Sequence, residues 1–152
     1  MKYVILFIII ILLLPIFFKY NNIQSYSNTD YIVPSVEIKM SEKIGGRGVF
    51  ACKDYNIGDI IEICPCIIDD SSKFQGAIKD YVFTYDISHS LVAFGTCSIY
   101  NHSDNYNALW SVLSKDQMKF YATKNIKNGE EIFTSYGNAY WESRNALKKI
   151  NI

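Results

Sequence analysis

The stretch Asn128-Gly129-Glu130-Glu131-Ile132-Phe133-Thr134-Ser135-Tyr136-Gly137 opens as a turn, continues as an apolar strand and stops at a tyrosine followed by glycine. Its adjacent carboxylates suggest a general acid and base. Neighbouring strand residues point to opposite faces, however, so they cannot share a site, and the pattern reads better as a solvent-facing Glu130 and an inward Glu131. Tyr136 stands at the strand's end, with Gly137 beyond it. Upstream, Tyr100-Asn101-His102-Ser103-Asp104-Asn105-Tyr106-Asn107 concentrates hydrogen-bonding side chains after the apolar stretch Leu91 to Ile99. Triad chemistry needs a base held beside a nucleophile, and the adjacency of His102 and Ser103 in sequence does not supply that geometry. Asn and His together suit holding a polar ligand or tying two loops.

A third candidate is Gly45-Gly46-Arg47-Gly48-Val49-Phe50. Glycines at this density permit close backbone approach to a ligand, and they also mark ordinary turns. The run is not a dinucleotide fingerprint, because no third spaced glycine follows and Val49-Phe50 starts a strand, not a helix. The cysteines Cys52, Cys64, Cys66 and Cys97 allow disulfides, a metal site or small buried apolar contacts, and the last reading is favoured. Cys64-Pro65-Cys66 ends an apolar run in which alternation points both thiols to one face. Its spacing is not that of a zinc knuckle and the histidines are only His89 and His102, so no metal is expected, and disulfide pairing stays open.

The elements that must position these residues are short. Strand-like runs are Val36 to Met40, Gly48 to Ala51, Ile60 to Ile68, Gln117 to Thr123 and Glu131 to Ser135; only Ser72 to Thr84 and Tyr140 to Lys149 suit helices. The result is a mostly β (α+β) domain. An internal similarity is present: residues 50–61 (Phe-Ala-Cys-Lys-Asp-Tyr-Asn-Ile-Gly-Asp-Ile-Ile) align without a gap on residues 121–132 (Tyr-Ala-Thr-Lys-Asn-Ile-Lys-Asn-Gly-Glu-Glu-Ile). Each copy reads as strand, glycine turn and strand, giving two similar corner-turning arms.

With 152 residues, 49% of them apolar, there is room for one domain and a short appendage. Fifteen basic residues balance fifteen acidic ones, so no global field draws in nucleic acid and recognition must be local. Tyr3 to Phe18 carries no charge. As a helix it would reach roughly 24 Å, a minimal span of a bilayer core about 30 Å thick once Lys2, Lys19 and Tyr20 reach to the interface. A signal peptide is the rival, but no small-x-small cleavage site follows, which favours an uncleaved single-pass anchor. The domain plan is therefore an anchor or signal-like segment over 1–20, a linker over 21–35, the folded domain over 36–145 and a tail over 146–152.

Taken in order, Gly45-Gly46-x-Gly48, Asn101-His102-Ser103 and Glu131-Ile132-x-x-x-Tyr136 resemble the SET-domain lysine methyltransferases, over roughly Val36 to Arg144. Small single-domain versions in large DNA viruses are the most similar in further features: Gly48-Val49-Phe50-Ala51, Cys64-x-Cys66-Ile67, Asp80-Tyr81-x-Phe83 and Tyr136-Gly137-x-x-Tyr140-Trp141. The resemblance implies a β-clip of several short sheets with a threaded C-terminal segment that brings Asn101-His102-Ser103 beside Tyr136. It implies that Gly46, Arg47 and Gly48, with Asn101 and His102, hold S-adenosylmethionine. A lysine would enter from the opposite face through a channel lined by Tyr81, Tyr136 and Tyr140, with Trp141 beside it, and the resemblance puts Tyr136 at the reaction centre as the catalytic residue whose hydroxyl orients the amine. The implied substrate is a protein, a histone tail first, and the catalytic domain should face the cytosol or nucleus, with a host nucleus or virion as the setting. A homodimer is one option for assembly. The rival function is a catalytically silent SET-like module that binds protein at a membrane. Where the family often has Cys and Pro after Asn-His-Ser, this chain has Asp104 and Tyr106, while Asn107 is kept.

Overall fold

The structure, a computed structural model, describes residues 34–142. The expected anchor and tail, and most of the expected C-terminal helix, lie outside the described residues. Among the described residues no helix is long and apolar enough to cross a membrane.

Among the described residues nine strands form two sheets. They are β1 (Val36–Ser41), β2 (Gly46–Ala51), β3 (Ile60–Asp70), β4 (Val82–Thr84), β5 (His89–Ala93), β6 (Asn101–His102), β7 (Ala108–Ser114), β8 (Gln117–Ala122) and β9 (Glu131–Thr134), followed by one short helix, α1 (Asn138–Glu142). The order is β1-β2-β9-β6 in one sheet and β4-β5-β3-β8-β7 in the other. The mostly β expectation holds. The segment expected to be helical over 72–84 is instead two 3-10 turns, Ser71–Lys73 and Gly76–Tyr81, that lead into β4. None of its residues up to Tyr81 is buried, so the segment lacks the apolar face that would stabilise an α-helix.

The two similar arms turn out to clasp each other. Tyr55 N–H donates to Ile126 O (2.8 Å) and Ile126 N–H donates to Tyr55 O (2.9 Å). These residues are equivalent in the alignment, so a pseudo-twofold axis runs between them. The remaining bonds obey it: Gly58 N to Ala122 O and Gly129 N to Ala51 O, Ala122 N to Asp59 O and Ala51 N to Glu130 O, Ile57 N to Asn125 Oδ1 and Asn128 N to Asp54 Oδ1. Gly58 and Gly129 both adopt positive φ, 90° and 86°, a backbone state that an L side chain resists. The symmetry extends into β1-β2-β3 against β7-β8-β9, with Val36 opposite Ala51 as Ala108 is opposite Ala122. The core follows the same rule, because Val49 and Phe120, Ala51 and Ala122, Tyr55 and Ile126, and Ile61 and Ile132 are equivalent pairs and all are buried.

Cys64 and Cys66 do point to one face, and both are buried. The favoured reading of the cysteines as simple apolar contacts is corrected for two of them, since Cys64 is disulfide-bonded to Cys97, in the 3-10 turn Gly95–Ser98, while Cys52 and Cys66 are free. The bridge spans 33 residues of chain, a separation at which local sequence carries no sign of pairing.

Candidate active site

Three elements converge on Tyr136. It follows β9, and α1 begins two residues later, so Tyr140 and Trp141 fold back onto it: the Tyr136 and Tyr140 rings lie 4.6 Å apart and the Tyr136 and Trp141 rings stack at 5.9 Å. On the other side β6 runs parallel to β9, with Asn101 opposite Phe133 and His102 opposite Thr134. That pairing is secured by Asn107, whose side-chain amide behaves like a strand edge. Its Oδ1 accepts from Phe133 N (2.8 Å) and its Nδ2 donates to Glu131 O (3.0 Å).

The buried His102 thereby meets the tyrosine. Its Nδ1 accepts the Tyr136 backbone N–H at 3.1 Å. A backbone N–H can only donate, so Nδ1 is the bare nitrogen and the neutral ring carries its proton on Nε2, 3.4 Å from Asp104 Oδ1. Asp104 thus stands where it can steady the imidazole. The Tyr136 hydroxyl donates to the Tyr100 carbonyl at 2.8 Å. Burial first, and then the nearby Tyr140 and Tyr81, raise its pKa well above the ordinary tyrosine range, so the group stays a neutral phenol.

A cavity of about 680 Å³ opens at this tyrosine, walled by Tyr81, Phe83, Trp110, Tyr136 and Tyr140, with Asp86 among its polar lining. The Asp86 carboxyl is pulled down to about 2 by the backbone N–H of Ser88 and by His89, so it is ionised at any ordinary pH. Aromatic walls with a fixed anion suit a side chain that is long, apolar along its stem and cationic at its tip.

The glycine run is positioned differently from the sequence expectation. Gly46 opens β2 and pairs with Ser41, so the segment is strand rather than loop on that side. Its other edge has no strand opposite, because β9 pairs with β2 only at Val49 and Phe50. There the Asn101 side chain takes over, Nδ2 donating to Arg47 O and to Glu131 Oε1, each at 2.9 Å. Arg47 therefore enters the site through its carbonyl. A Cβ on Gly46 would meet nothing within 4 Å, which leaves open space above the strand, and the buried Trp141 Nε1 has no hydrogen-bond acceptor among the described residues.

The expected site residues thus fall in one region: Tyr136 and Trp141 each in ring contact with both His102 and Tyr140, Tyr81 in the wall of the same cavity, and Asn101 against Arg47 and Gly48, with Gly46 next along the strand. Sequence reasoning missed the Tyr100 carbonyl, the cavity wall Trp110 and the partners of Glu131, and it quoted Phe83 in a motif without giving it the wall position it holds. A carbonyl leaves no residue signature. Trp110, within an evident β run, could have been found.

The SET-domain family model matches residues 46–137, which runs from the glycine strand to the residue after Tyr136. The chain belongs to the SET-domain family. It is 27% identical over 112 residues to the histone-lysine N-methyltransferase specific for H3 lysine 37 of Schizosaccharomyces pombe, covering 70% of this chain and 76% of that protein. It is 31% identical to a solved Plasmodium falciparum protein named as a candidate histone methyltransferase, with a TM-score of 0.61 over 72% of this chain and 99% of that one. At 23% identity, a Chaetomium thermophilum Polycomb Repressive Complex 2 chain shares the fold, with a TM-score of 0.56 over 69% of this chain and 15% of that larger one. In this SET domain, then, the parallel β6–β9 pair is the element that joins Asn101-His102 to Tyr136.

Proposed function

We propose that this SET domain is a protein-lysine methyltransferase that uses S-adenosylmethionine, with a histone tail as the first substrate class to test. The observation that carries the reading is the state of Tyr136: a neutral phenol whose proton is committed to the Tyr100 carbonyl, at the floor of an aromatic cavity.

The cofactor fits the other side. The open space over Gly46, the edge of Arg47 and Gly48 that β9 leaves unpaired, and the indole N–H of Trp141, without an acceptor among the described residues, offer backbone and side-chain groups to a polar ligand beside Tyr136. Gly46, Arg47, Gly48, Asn101, His102 and Trp141 would hold it. When bound it supplies an electrophilic methyl group on a sulfonium.

The residues of the chain do the rest. A free lysine amine has a pKa of about 10.4, and a dry, ring-lined channel favours its neutral, nucleophilic form. With its own hydrogen spent on Tyr100 O, the Tyr136 oxygen has only lone pairs to offer an incoming N–H. It orients the amine and is too weak an acid to ionise and act as the base. Tyr81 and Tyr140 narrow the channel, so the nitrogen approaches along one line, and alignment of this kind accounts for much of the barrier in a displacement. The ionised Asp86 favours a basic substrate segment at the entrance, in keeping with histone tails.

The full-length chain, kept in detergent and incubated with a histone mixture and S-adenosylmethionine, is expected to add mass in methyl increments to lysine. Tyr136→Phe should fold and lose methyl transfer by about a hundredfold or more. Turnover near the native value in that variant would remove Tyr136 from the reaction centre.

A further inference from the structure

Glu131 has no ion-pair partner among the described residues, and the fold does not require a carboxylate where it stands. The internal symmetry provides the control. Glu131 lies opposite Phe50 between β9 and β2 just as Ile60 lies opposite Tyr121 between β3 and β8. Around each of these positions the clasp makes the same backbone bonds, so an isoleucine satisfies the corner in one arm while the other arm carries an acid.

That acid is fully engaged, and only with neutral donors. Oε1 accepts from Asn101 Nδ2 at 2.9 Å, and Oε2 accepts from the hydroxyl of the buried Ser41 at 2.7 Å. Ser41 Oγ in turn accepts the Ile44 N–H at 3.2 Å, tying the β1–β2 hairpin to the same carboxylate. Gly48 is shaped around it, since a Cβ there would lie 2.2 Å from Glu131 Oε1 and 3.1 Å from Asn101 Nδ2. The carboxylate occupies the space that any side chain at position 48 would need, and it bridges segments separated by 90 and 30 residues in sequence.

We infer that Glu131 is a positioning residue: it fixes the Asn101 amide and the hairpin carrying Gly46 to Gly48 relative to each other, and so sets the shape of the cofactor side of the site. This rests on the proposed S-adenosylmethionine reading. It adds that the cradle is held from beneath by a carboxylate that touches neither cofactor nor lysine. A carboxylate suits the task because it has acceptors to spare and no hydrogen of its own to repel two incoming donors.

The test compares Glu131→Ala and Glu131→Gln in the full-length protein. Affinity for S-adenosylhomocysteine is read by calorimetry, thermal stability by melting, and exchange of the Asn101 side-chain amide protons by NMR. Glu131→Ala should weaken affinity about tenfold, the scale of one charge-assisted hydrogen bond, and should speed Asn101 amide exchange while most of the stability is kept. Glu131→Gln can still present an oxygen to Asn101 and an N–H to Ser41 Oγ, and should recover most of both. Native affinity and slow exchange in Glu131→Ala would overturn the inference, as would affinity lost only in proportion to the unfolded fraction, or a glutamine variant no better than alanine. Wild-type protein that binds no S-adenosylhomocysteine would instead sink the cofactor reading. In that outcome the Asn101 exchange rates alone would still decide whether Glu131 holds the amide.

Discussion

The two arms of the clasp have the same backbone plan and different consequences. In the first, β3 runs on past the corner for eleven residues and becomes the central strand of the larger sheet. In the second, β9 stops after four and releases the chain into Ser135-Tyr136-Gly137. Several residues of the clasp are alike in both arms: the alanines Ala51 and Ala122, the positive-φ glycines Gly58 and Gly129, and the buried Ile61 and Ile132. Among the residues that differ, two pairs have one member at the site: Ile60 against Glu131 and Ser35 against Asn107. Here a repeated framework separates what folding requires from what the site requires.

The third strands are also secured differently, and this allows the comparison to be broken at either arm. β3 is pinned by the Cys64–Cys97 disulfide, whereas β9 is pinned by the Asn107 amide. Cys97→Ser should have the largest effect, a loss of about 3–4 kcal/mol from the loop-closure entropy of a bridge of this span, measured by denaturant unfolding with and without reductant. Reductant should destabilise the wild type and leave the variant unchanged. Asn107→Ala comes next. It strands the Phe133 N–H and the Glu131 carbonyl and should cost about 2 kcal/mol. Ser35→Ala, at the equivalent place, should stay within about 0.5 kcal/mol, because there the backbone carbonyl of Ser35 does the work, accepting Cys52 N–H and the Tyr55 hydroxyl. Equal losses at the two positions would mean that the arms are secured in the same way.

What could be read in the sequence divides along the same line. The arms were visible as a repeat because the turn glycines and flanking alanines are dictated locally, by backbone conformation and by lack of space. That they face each other was not visible, since a bridge between Tyr55 and Ile126 leaves no mark on either residue. Asn101, His102 and Tyr136 were legible as ordered motifs, and the aromatic pair Tyr140-Trp141 with them. Glu131 was placed on the inward face by alternation, but its partners Ser41 and Asn101 come from distant segments. β5 was hidden within an apolar run, and β7 was not assigned although Trp110-Ser111-Val112-Leu113 suits a strand. The Cys64–Cys97 bridge depends on tertiary placement alone.

The smallest expected effect tests the symmetry where it is chemically imperfect. Asp54 and Asn125 are equivalent and cap equivalent amides, but only Asp54 titrates, and only it meets a cation, Lys127 Nζ at 2.7 Å. That lysine, with the Asn128 N–H, holds the Asp54 carboxyl below its ordinary pKa. A carboxyl whose folded-state pKa is depressed contributes stability above its unfolded-state pKa, near 3.8, and loses that contribution as pH falls through the lower folded-state value. Wild type should therefore be slightly more stable than Asp54→Asn at neutral pH, and the gap should close below about pH 4 and shrink in high salt, since the pair is exposed. Asn125→Ala should lose its small increment equally at every pH. If both variants titrated alike, the pH dependence would belong to something other than the clasp, and the two arms would be electrostatically as well as geometrically equivalent.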